Sequence, residues 1–434
     1  MPPRILLLLL ATALVTAFVL VPAPAPAHAD TGTAVSLTFD DGSQDQYDNA
    51  RPALDSHGMK GTYYINSARV GTSGYMTQAE IAALETAGNE IGGHTITHAD
   101  LPTLSTAEQQ RQVCDDRVAL LNMGFTVKNF AYPYGNANST SEQVVHDCGY
   151  NSARTVGGVV SPGSCNGCGY AETVPPADAY FTQTPDSVKT GTTLAQLQGY
   201  VTQAETHGGG WVQLVIHHVC NGCDDTYAVT PSTLSSFLNW LAPRSANGTT
   251  VKTVDQVIGG GLQPPVNGPP SPTTVQNPSL EAATGGVPDC FQLGGYGTNT
   301  FAWTRTNDSR TGQYAERVDV TARTDGDRKL VTKQDAGTCA PAATPGHTYQ
   351  LGVWYKGTWS SGVTTKMSIY YRNATGAWTF WTNGPTLAQT STWQQTLVTT
   401  PAVPAGATNL SFGVALPGVG SLVVDDFSLT DQGT

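Results

Sequence analysis

Ala34-Val35-Ser36-Leu37-Thr38-Phe39-Asp40-Asp41-Gly42 is the stretch on which the fold turns. The run from Ala34 to Phe39 reads as a buried strand, and Gly42 ends it. Two neighbouring carboxylates at a strand end repel unless a cation sits between them or one keeps a proton. A divalent metal resolves the conflict, taking one Asp as ligand and leaving the other as a base. Taken alone, an Asp-Asp-Gly turn capping the next helix explains the same residues. What favours the metal lies far downstream.

From Asp30 to about Ile258 apolar strands alternate with amphipathic helices. The strand candidates are Ala34–Phe39, Thr62–Ile65, Asn89–Ile91, Asn129–Ala131, Asn151–Arg154, Trp211–His217 and Thr250–Thr253. Capping patterns at Thr77-x-x-Glu80, Ser105-x-x-Glu108 and Ser139-x-x-Glu142, and Thr230 before Pro231, start helices between them. Leu194, Leu197 and Val201 share one helical face. Such alternation implies a parallel sheet wrapped by helices, and about seven units suit a barrel better than an open sheet. Working residues of such barrels stand at the C-terminal strand ends, where Asp40, His94, Tyr134 and His217 fall.

Arg4, the apolar run Ile5–Leu20 and Ala27-His28-Ala29 read as a signal peptide over residues 1–29, with the mature chain starting at Asp30. No later stretch is apolar enough to span a bilayer. The expectation is a secreted, soluble monomer. A formal net charge of −12, with 21 Lys and Arg in 434 residues, argues against nucleic acid or anionic lipid as partner. In an exported protein eight cysteines point to disulfides. Cys114 and Cys148 fall near the ends of successive helical stretches, and Cys290 and Cys339 are the two in the C-terminal third. Cys165/Cys168 and Cys220/Cys223 repeat Cys-Asn-Gly-Cys. Two such pairs can hold zinc, but export favours bridges within or between the loops.

Gln263 to Thr274 is a Pro/Gly/Ser/Thr-rich linker with no apolar run to dock it, so the halves read as separate domains, 30–262 and 275–434. Beyond it, Tyr349–Trp354, Thr365–Tyr371, Trp393–Thr399 and Leu422–Leu429 alternate apolar and polar residues between turns. That pattern predicts an all-β jelly-roll sandwich.

His94-Thr95-Ile96-Thr97-His98 can aim two imidazoles at one point, and it lacks the Glu of the zinc-peptidase H-E-x-x-H. With Asp41 it makes a two-His, one-carboxylate set with open positions. Phe130-Ala131-Tyr132-Pro133-Tyr134-Gly135 ends a strand in a turn able to offer a backbone N–H to an oxyanion. Leu214-Val215-Ile216-His217 is a buried strand ending in His. These residues suffice for amide hydrolysis: a metal to polarise the carbonyl and acidify water, a carboxylate to take the water's proton, and a His to protonate the amine.

Taken together and in this order, the four motifs resemble the polysaccharide deacetylases of carbohydrate esterase family four, over residues 34 to about 258. The resemblance implies an α/β fold with a distorted (β/α)7 barrel and a mononuclear Zn2+, or Co2+ or Ni2+ in its place. By it Asp40 is the general base, Asp41, His94 and His98 hold the metal, and His217 is the general acid. Tyr134 gives its backbone N–H to the oxyanion, Thr95 steadies the histidine loop, and Val215 lines the acetyl pocket. Two departures stand out. Ala131 occupies the place of an Arg that orients the catalytic Asp, and the usual Asp-containing fourth motif is not evident. Arg154 is the candidate replacement for the Arg, and Asp178 or Asp186 the candidate to orient His217.

Asn277-Pro278-Ser279-Leu280-Glu281 and Asp425-Asp426-Phe427 are similar to the terminal strands of jelly-roll carbohydrate-binding modules, which often share a structural Ca2+. Glu281 and Asp426 are its candidate ligands. Trp354, Trp378 and Trp381 are candidates for stacking on sugar faces. The expected function is a secreted, metal-dependent N-deacetylase of an N-acetylglucosamine-type polymer (chitin, poly-N-acetylglucosamine or peptidoglycan). An acetylxylan-type O-deacetylase would use the same residues. A polysaccharide-binding protein whose barrel does not turn over would explain the Arg absent at Ala131.

Overall fold

The computed structural model describes residues 32–161, 167–224 and 226–434. The signal segment 1–29, Asp30 and Cys165 lie outside the described residues.

The run around Leu37 forms the central strand, β1 (Thr33–Phe39), buried along its whole length. It is followed by β2 (Thr62–Ile65), β3 (Glu90–Gly93), β4 (Val127–Ala131), β5 (Ser152–Gly158), β6 (Thr182–Thr184) and β7 (Gly210–Ile216). A short parallel pair, β8 (His218–Val219) and β9 (Ala228–Val229), precedes β10 (Thr249–Val251). On one edge β1 pairs with β7 from Thr33↔Gly210 to Phe39↔Ile216. Its other edge meets β10 at the start and β2 at the end, after which β3 to β6 follow in order, all parallel. This is the nearly closed seven-strand barrel, with β10 as an additional short strand. Between β6 and β7 the gap is crossed by a side chain, Gln213 Nε2 donating to Thr182 Oγ1 at 3.1 Å.

The helices α1 (Arg51–Asp55), α2 (Gln78–Thr86), α3 (Thr106–Gln110), α4 (Asp116–Asn122), α5 (Ser139–Asp147), α6 (Leu194–Thr206), α7 (Pro231–Leu241) and α8 (Val254–Ile258) cover the sheet. Leu84, Leu120, Val145, Val201 and Phe237 pack from them onto Leu37, Phe39, Ile91 and Leu214. Thr77 closes a full capping box on α2, and Ser105 caps α3. For α5 the cap is Asn138, accepting from Ser141 N, and not Ser139: an Asx side chain one residue earlier takes the orphan donor first. Cys114–Cys148 ties the segment before α4 to the end of α5, Cys220–Cys223 closes its own loop, and Cys290–Cys339 staples the C-terminal half.

The C-terminal half opens with the hairpin β11 (Ala283–Thr284) and β12 (Val287–Pro288). Then come β13 (Phe291–Tyr296), β14 (Asn299–Thr306), β15 (Ala315–Arg323), β16 (Asp327–Thr332), β17 (Thr348–Trp359), β18 (Lys366–Arg372), β19 (Trp378–Thr386), β20 (Thr390–Thr399), β21 (Asn409–Leu416) and β22 (Gly420–Gly433). Two five-stranded antiparallel sheets, in the orders β13-β16-β21-β18-β19 and β14-β15-β22-β17-β20, enclose Leu351, Val353, Met367, Ile369, Phe412 and Val414.

Both the linker and the sandwich contact the barrel. The linker lacks apolar anchors but is pinned by polar ones: Arg117 donates to Pro264 O at 3.0 Å and Gln263 O at 2.8 Å, Arg111 to Pro269 O at 3.3 Å, and Gly268 N to Asp115 Oδ1 at 2.8 Å. The sandwich then docks on α3. Arg372 Nη2 lies 3.1 Å from Glu108 Oε1, Gly337 N donates to Glu108 Oε2 at 2.9 Å, and Thr338 Oγ1 is 3.2 Å from Ser105 Oγ. Backbone carbonyls paired with arginine can hold a chain that has no apolar run.

Candidate active site

The end of β1 delivers Asp40 and Asp41 to the C-terminal mouth of the barrel. Asp40 N donates to Ile216 O at 2.9 Å, and Gln46 Nε2 bonds both Asp40 O (2.5 Å) and His217 O (2.7 Å), so one amide ties the ends of β1 and β7. The Asp40 side chain is buried, with Arg154 Nη2 at 2.5 Å from Oδ1 and His217 Nε2 at 3.8 Å from Oδ2. Burial alone would raise its pKa, but the Arg154 guanidinium, with His94 and His217, outweighs burial and lowers it from 3.8 to about 2. Arg154, from β5, is itself buried, with its guanidinium 5.0 Å from the centre of the Tyr64 ring. Arg154, the sequence candidate to replace the Arg absent at Ala131, thus lies against the carboxylate of Asp40.

Asp41, His94 and His98 converge, with one donor atom of each within 4.8 Å of the others. His94 Nδ1 is held by Ala131 O at 2.6 Å, which fixes the tautomer and leaves Nε2 facing Asp41 Oδ1 at 3.9 Å. That Nε2 is buried and has no hydrogen-bond partner among the described residues. His98 Nε2 is 3.5 Å from the same oxygen, which also accepts from Arg69 Nη1 at 2.7 Å. Burial lowers the pKa of both imidazoles, that of His98 to about 4 with His94 adding to the effect, so both are neutral with lone pairs free. An orphaned buried nitrogen, a second neutral imidazole and a carboxylate fit a divalent metal ion.

The backbone is strained where these groups sit. Asp41, Thr95, His98 and Tyr134 have φ of 75°, 68°, 62° and 60°, a region that L-residues rarely occupy and that is costly for β-branched Thr. The surroundings hold it in place: Asn66 Nδ2 bonds the carbonyls of His94 and Thr95, Asp116 Oδ2 accepts His94 N at 3.2 Å, and Thr95 Oγ1 accepts Ala99 N at 3.1 Å. Tyr134 is the central residue of the Pro133–Gly135 turn, 69% exposed, its ring 4.5 Å from that of His98. Gly135 is required there, since a Cβ would come within 2.6 Å of Val156 N.

Asp40, Asp41, His94, His98, Tyr134 and His217 line one cavity of about 270 Å³, together with Val156, Asp186, Ser187, Lys189 and Tyr227. Val215 does not line it. It is fully buried, opposite Thr38 of β1, and its carbonyl accepts Val188 N at 2.8 Å, so Val156 and Tyr227 supply the apolar walls. Asp186 reaches the cavity, but His217 Nδ1 has no hydrogen-bond partner among the described residues, and Asp178 accepts from Tyr180 N instead. Sequence reading missed Asn66, Arg69 and Asp116, which belong to no motif. A second group, Asp45, His218 and Cys223, lies nearby. Its cysteine is bonded to Cys220, and Asp45 already accepts from Val219 N at 2.7 Å and lies 2.7 Å from His218 Nδ1.

In the sandwich, Glu281 accepts Gln313 N and Tyr314 N at 2.9 and 3.1 Å, and Asp426 accepts Arg310 Nη1 and Thr311 Oγ1 at 2.8 and 2.6 Å. Protein donors thus satisfy both carboxylates, and neither belongs to a converging group of three among the described residues. Trp354, Trp378 and Trp381 are half-buried. Arg310 lies over Trp354 at 3.8 Å, and Trp381 packs on the core at a bulge where Tyr370 opposes Phe380. The open rings in this half are Tyr296, Phe301 and Phe380.

Residues 28–153 match the family model described as polysaccharide deacetylase. That span holds Asp40, Asp41, His94, His98 and Tyr134, while Arg154 and His217 lie beyond it. The YxkH protein of Bacillus subtilis (strain 168) is 30% identical over 122 residues, 28% of this chain and 44% of that protein. A chitin deacetylase of Pestalotiopsis is 30% identical over 117 residues, 27% of this chain and 39% of that enzyme. The chain thus spans less than half the length of these relatives. A family 4 acetyl xylan esterase from Clostridium thermocellum, solved with a cobalt ion, superposes with a TM-score of 0.37 at 22% identity, over 52% of this chain and 90% of its own. Among the described residues no helix is long and apolar enough to cross a membrane.

Proposed function

We propose, from the match of residues 28–153 to the polysaccharide deacetylase family model, that this chain is a secreted, metal-dependent hydrolase releasing acetate from the N-acetyl groups of an N-acetylglucosamine-type polymer. The observation that supports this reading is the convergence of Asp41, His94 and His98 on one point, beside an Asp40 paired to Arg154 and a His217 within the same cavity. Asp41, His94 and His98 would hold a divalent cation, Zn2+ by donor type, with Co2+ or Ni2+ able to replace it. When bound, such an ion supplies a Lewis acid that polarises the acetyl carbonyl and lowers the pKa of water.

The chain's own groups do the rest. Asp40, ionised and aimed by Arg154, takes the proton of the attacking water. A carboxylate held near 2 is a weak base, so it suits only water already made acidic, which links its role to the neighbouring ligand set. Tyr134 offers its backbone N–H to the developing oxyanion from the strained turn beside His98. His217 Nε2, facing the cavity, passes a proton to the departing amine, which is otherwise a very poor leaving group. Val156 and Tyr227 flank the acetyl methyl. The disulfides Cys114–Cys148, Cys220–Cys223 and Cys290–Cys339 among the described residues, and the sequence of residues 1–29, support secretion.

The test is acetate release over chitooligosaccharides, poly-N-acetylglucosamine, peptidoglycan and acetylxylan, with the His94→Ala/His98→Ala variant beside the wild type. Acetate from an N-acetylated polymer, with metal and activity both lost in the variant, is expected. Acetate from acetylxylan alone would move the assignment to ester hydrolysis, and none from any polymer would make this a binding protein.

A further inference from the structure

The loop carrying His94 and His98 is gripped from outside the barrel as well as from within. Arg372, at the end of β18 and 4% exposed, reaches across the domain boundary to Glu108, which is 5% exposed. Glu108 Oε1 also accepts Gln112 Nε2 at 3.2 Å. The Gln112 amide is thereby oriented, and its Oε1 accepts both the backbone N–H and Oγ1 of Thr97, each at 3.2 Å. Gln112 O accepts Ile96 N at 3.1 Å. Thr97 is the residue before His98. A polar chain, Arg372–Glu108–Gln112–Thr97, buried except at Thr97, therefore runs from the sandwich to the neighbour of a candidate metal ligand.

A second contact ends at the same place. Arg372 Nε donates to Gly376 O at 3.1 Å, shaping the turn between β18 and β19. Gly376 has φ of +77° and sits against the Thr97 methyl, so that a Cβ there would meet Thr97 Cγ2 at 2.3 Å. The loop it touches holds two left-handed non-glycine residues, Thr95 and His98, and such a backbone persists only where its surroundings over-determine it.

We propose that the C-terminal sandwich is a structural part of the metal site, with Arg372, Glu108, Gln112 and Gly376 as positioning residues that set His98 through Thr97. This rests on the ligand assignment proposed above. Without Arg372, Glu108 Oε1 loses its hydrogen-bonded cation, and the buried carboxylate keeps only the more distant Arg111 Nε, 3.9 Å from Oε2. It then draws water into the boundary, and the Glu108 oxygen that orients the Gln112 amide is no longer fixed in place. Partners that orient a metal ligand from behind commonly govern affinity by about 10–100-fold.

The test uses the full chain loaded with Co2+, reading the metal dissociation constant by chelator competition and the visible absorption of the bound ion. Arg372→Met and Gly376→Ala are compared with Thr338→Ala, which removes a contact at the same boundary but lies off the polar chain. Thermal unfolding establishes that each variant is folded. Arg372→Met and Gly376→Ala are each expected to weaken Co2+ binding about tenfold or more and to shift the absorption, while Thr338→Ala leaves both as in wild type. Wild-type affinity and spectrum in both Arg372→Met and Gly376→Ala would overturn the inference. An equal loss in Thr338→Ala would also overturn it, because docking in general, and not this chain of contacts, would then be responsible. Failure of the wild type to bind any divalent ion would refute the ligand assignment instead.

Discussion

Replacing Arg154 with Met leaves the Asp40 carboxylate buried without its cation. Burial then prevails, so the Asp40 pKa should rise and the acid limb of kcat/KM should move to higher pH, with activity reduced; an unmoved limb would detach Arg154 from the base. The stability sign follows the same pair. In the wild type Asp40 is lowered from 3.8 to about 2, so it stabilises the fold above pH 4, and that contribution, about 2 kcal/mol, is lost as pH falls toward 2. In Arg154→Met the acid-side loss should disappear, which thermal midpoints between pH 2 and 6 would register. For Asp40→Asn the metal should stay bound while activity falls by about two to four orders of magnitude, and near wild-type turnover would place the base elsewhere. Asp41, His94 and His98 were legible because two short motifs at strand ends carry them. Arg154 was legible only as a cation at the end of the next strand. Asn66, Arg69 and Asp116 were not, because single polar residues acquire a purpose only when the loop they hold is folded.

Among the elements, the Cys114–Cys148 bridge closes a 34-residue separation between the segment before α4 and the end of α5. Removing it by Cys114→Ala/Cys148→Ala should cost about 3–4 kcal/mol, chiefly by freeing the unfolded chain, and lower the barrel's thermal midpoint by about 10 °C. A shift of a degree or less would show that packing alone holds α5. The parallel strands were readable as apolar runs, since a sheet covered on both faces needs little alternation. β6 was not, because three residues reading Thr182-Gln183-Thr184 carry no hydrophobic signal and are placed by β5 and by Gln213. Trp381 failed as an open ring for a related reason: a bulge in the β18–β19 ladder shifts which residues share a face, and sequence alternation does not reveal a bulge.

For the whole molecule, composition marks a barrel, a linker and a sandwich, and polar contacts that composition does not reveal join them. Arg117 is fully buried and spends four hydrogen bonds on carbonyls, two of them in the linker. Arg117→Ala should therefore destabilise the protein by about 3 kcal/mol and open the 263–274 segment to proteolysis well before the domains are cut. A linker equally sensitive in the wild type would mean that it is not docked in solution. Whether the barrel is a metal-dependent deacetylase is decided by acetate release from a soluble N-acetylglucosamine oligomer. The full chain is first stripped by chelator and then given one equivalent of Zn2+ or Co2+. The stripped protein should be silent, and one equivalent should restore turnover. Full activity in the stripped protein, or none after either metal, would rule out a metal-dependent deacetylase.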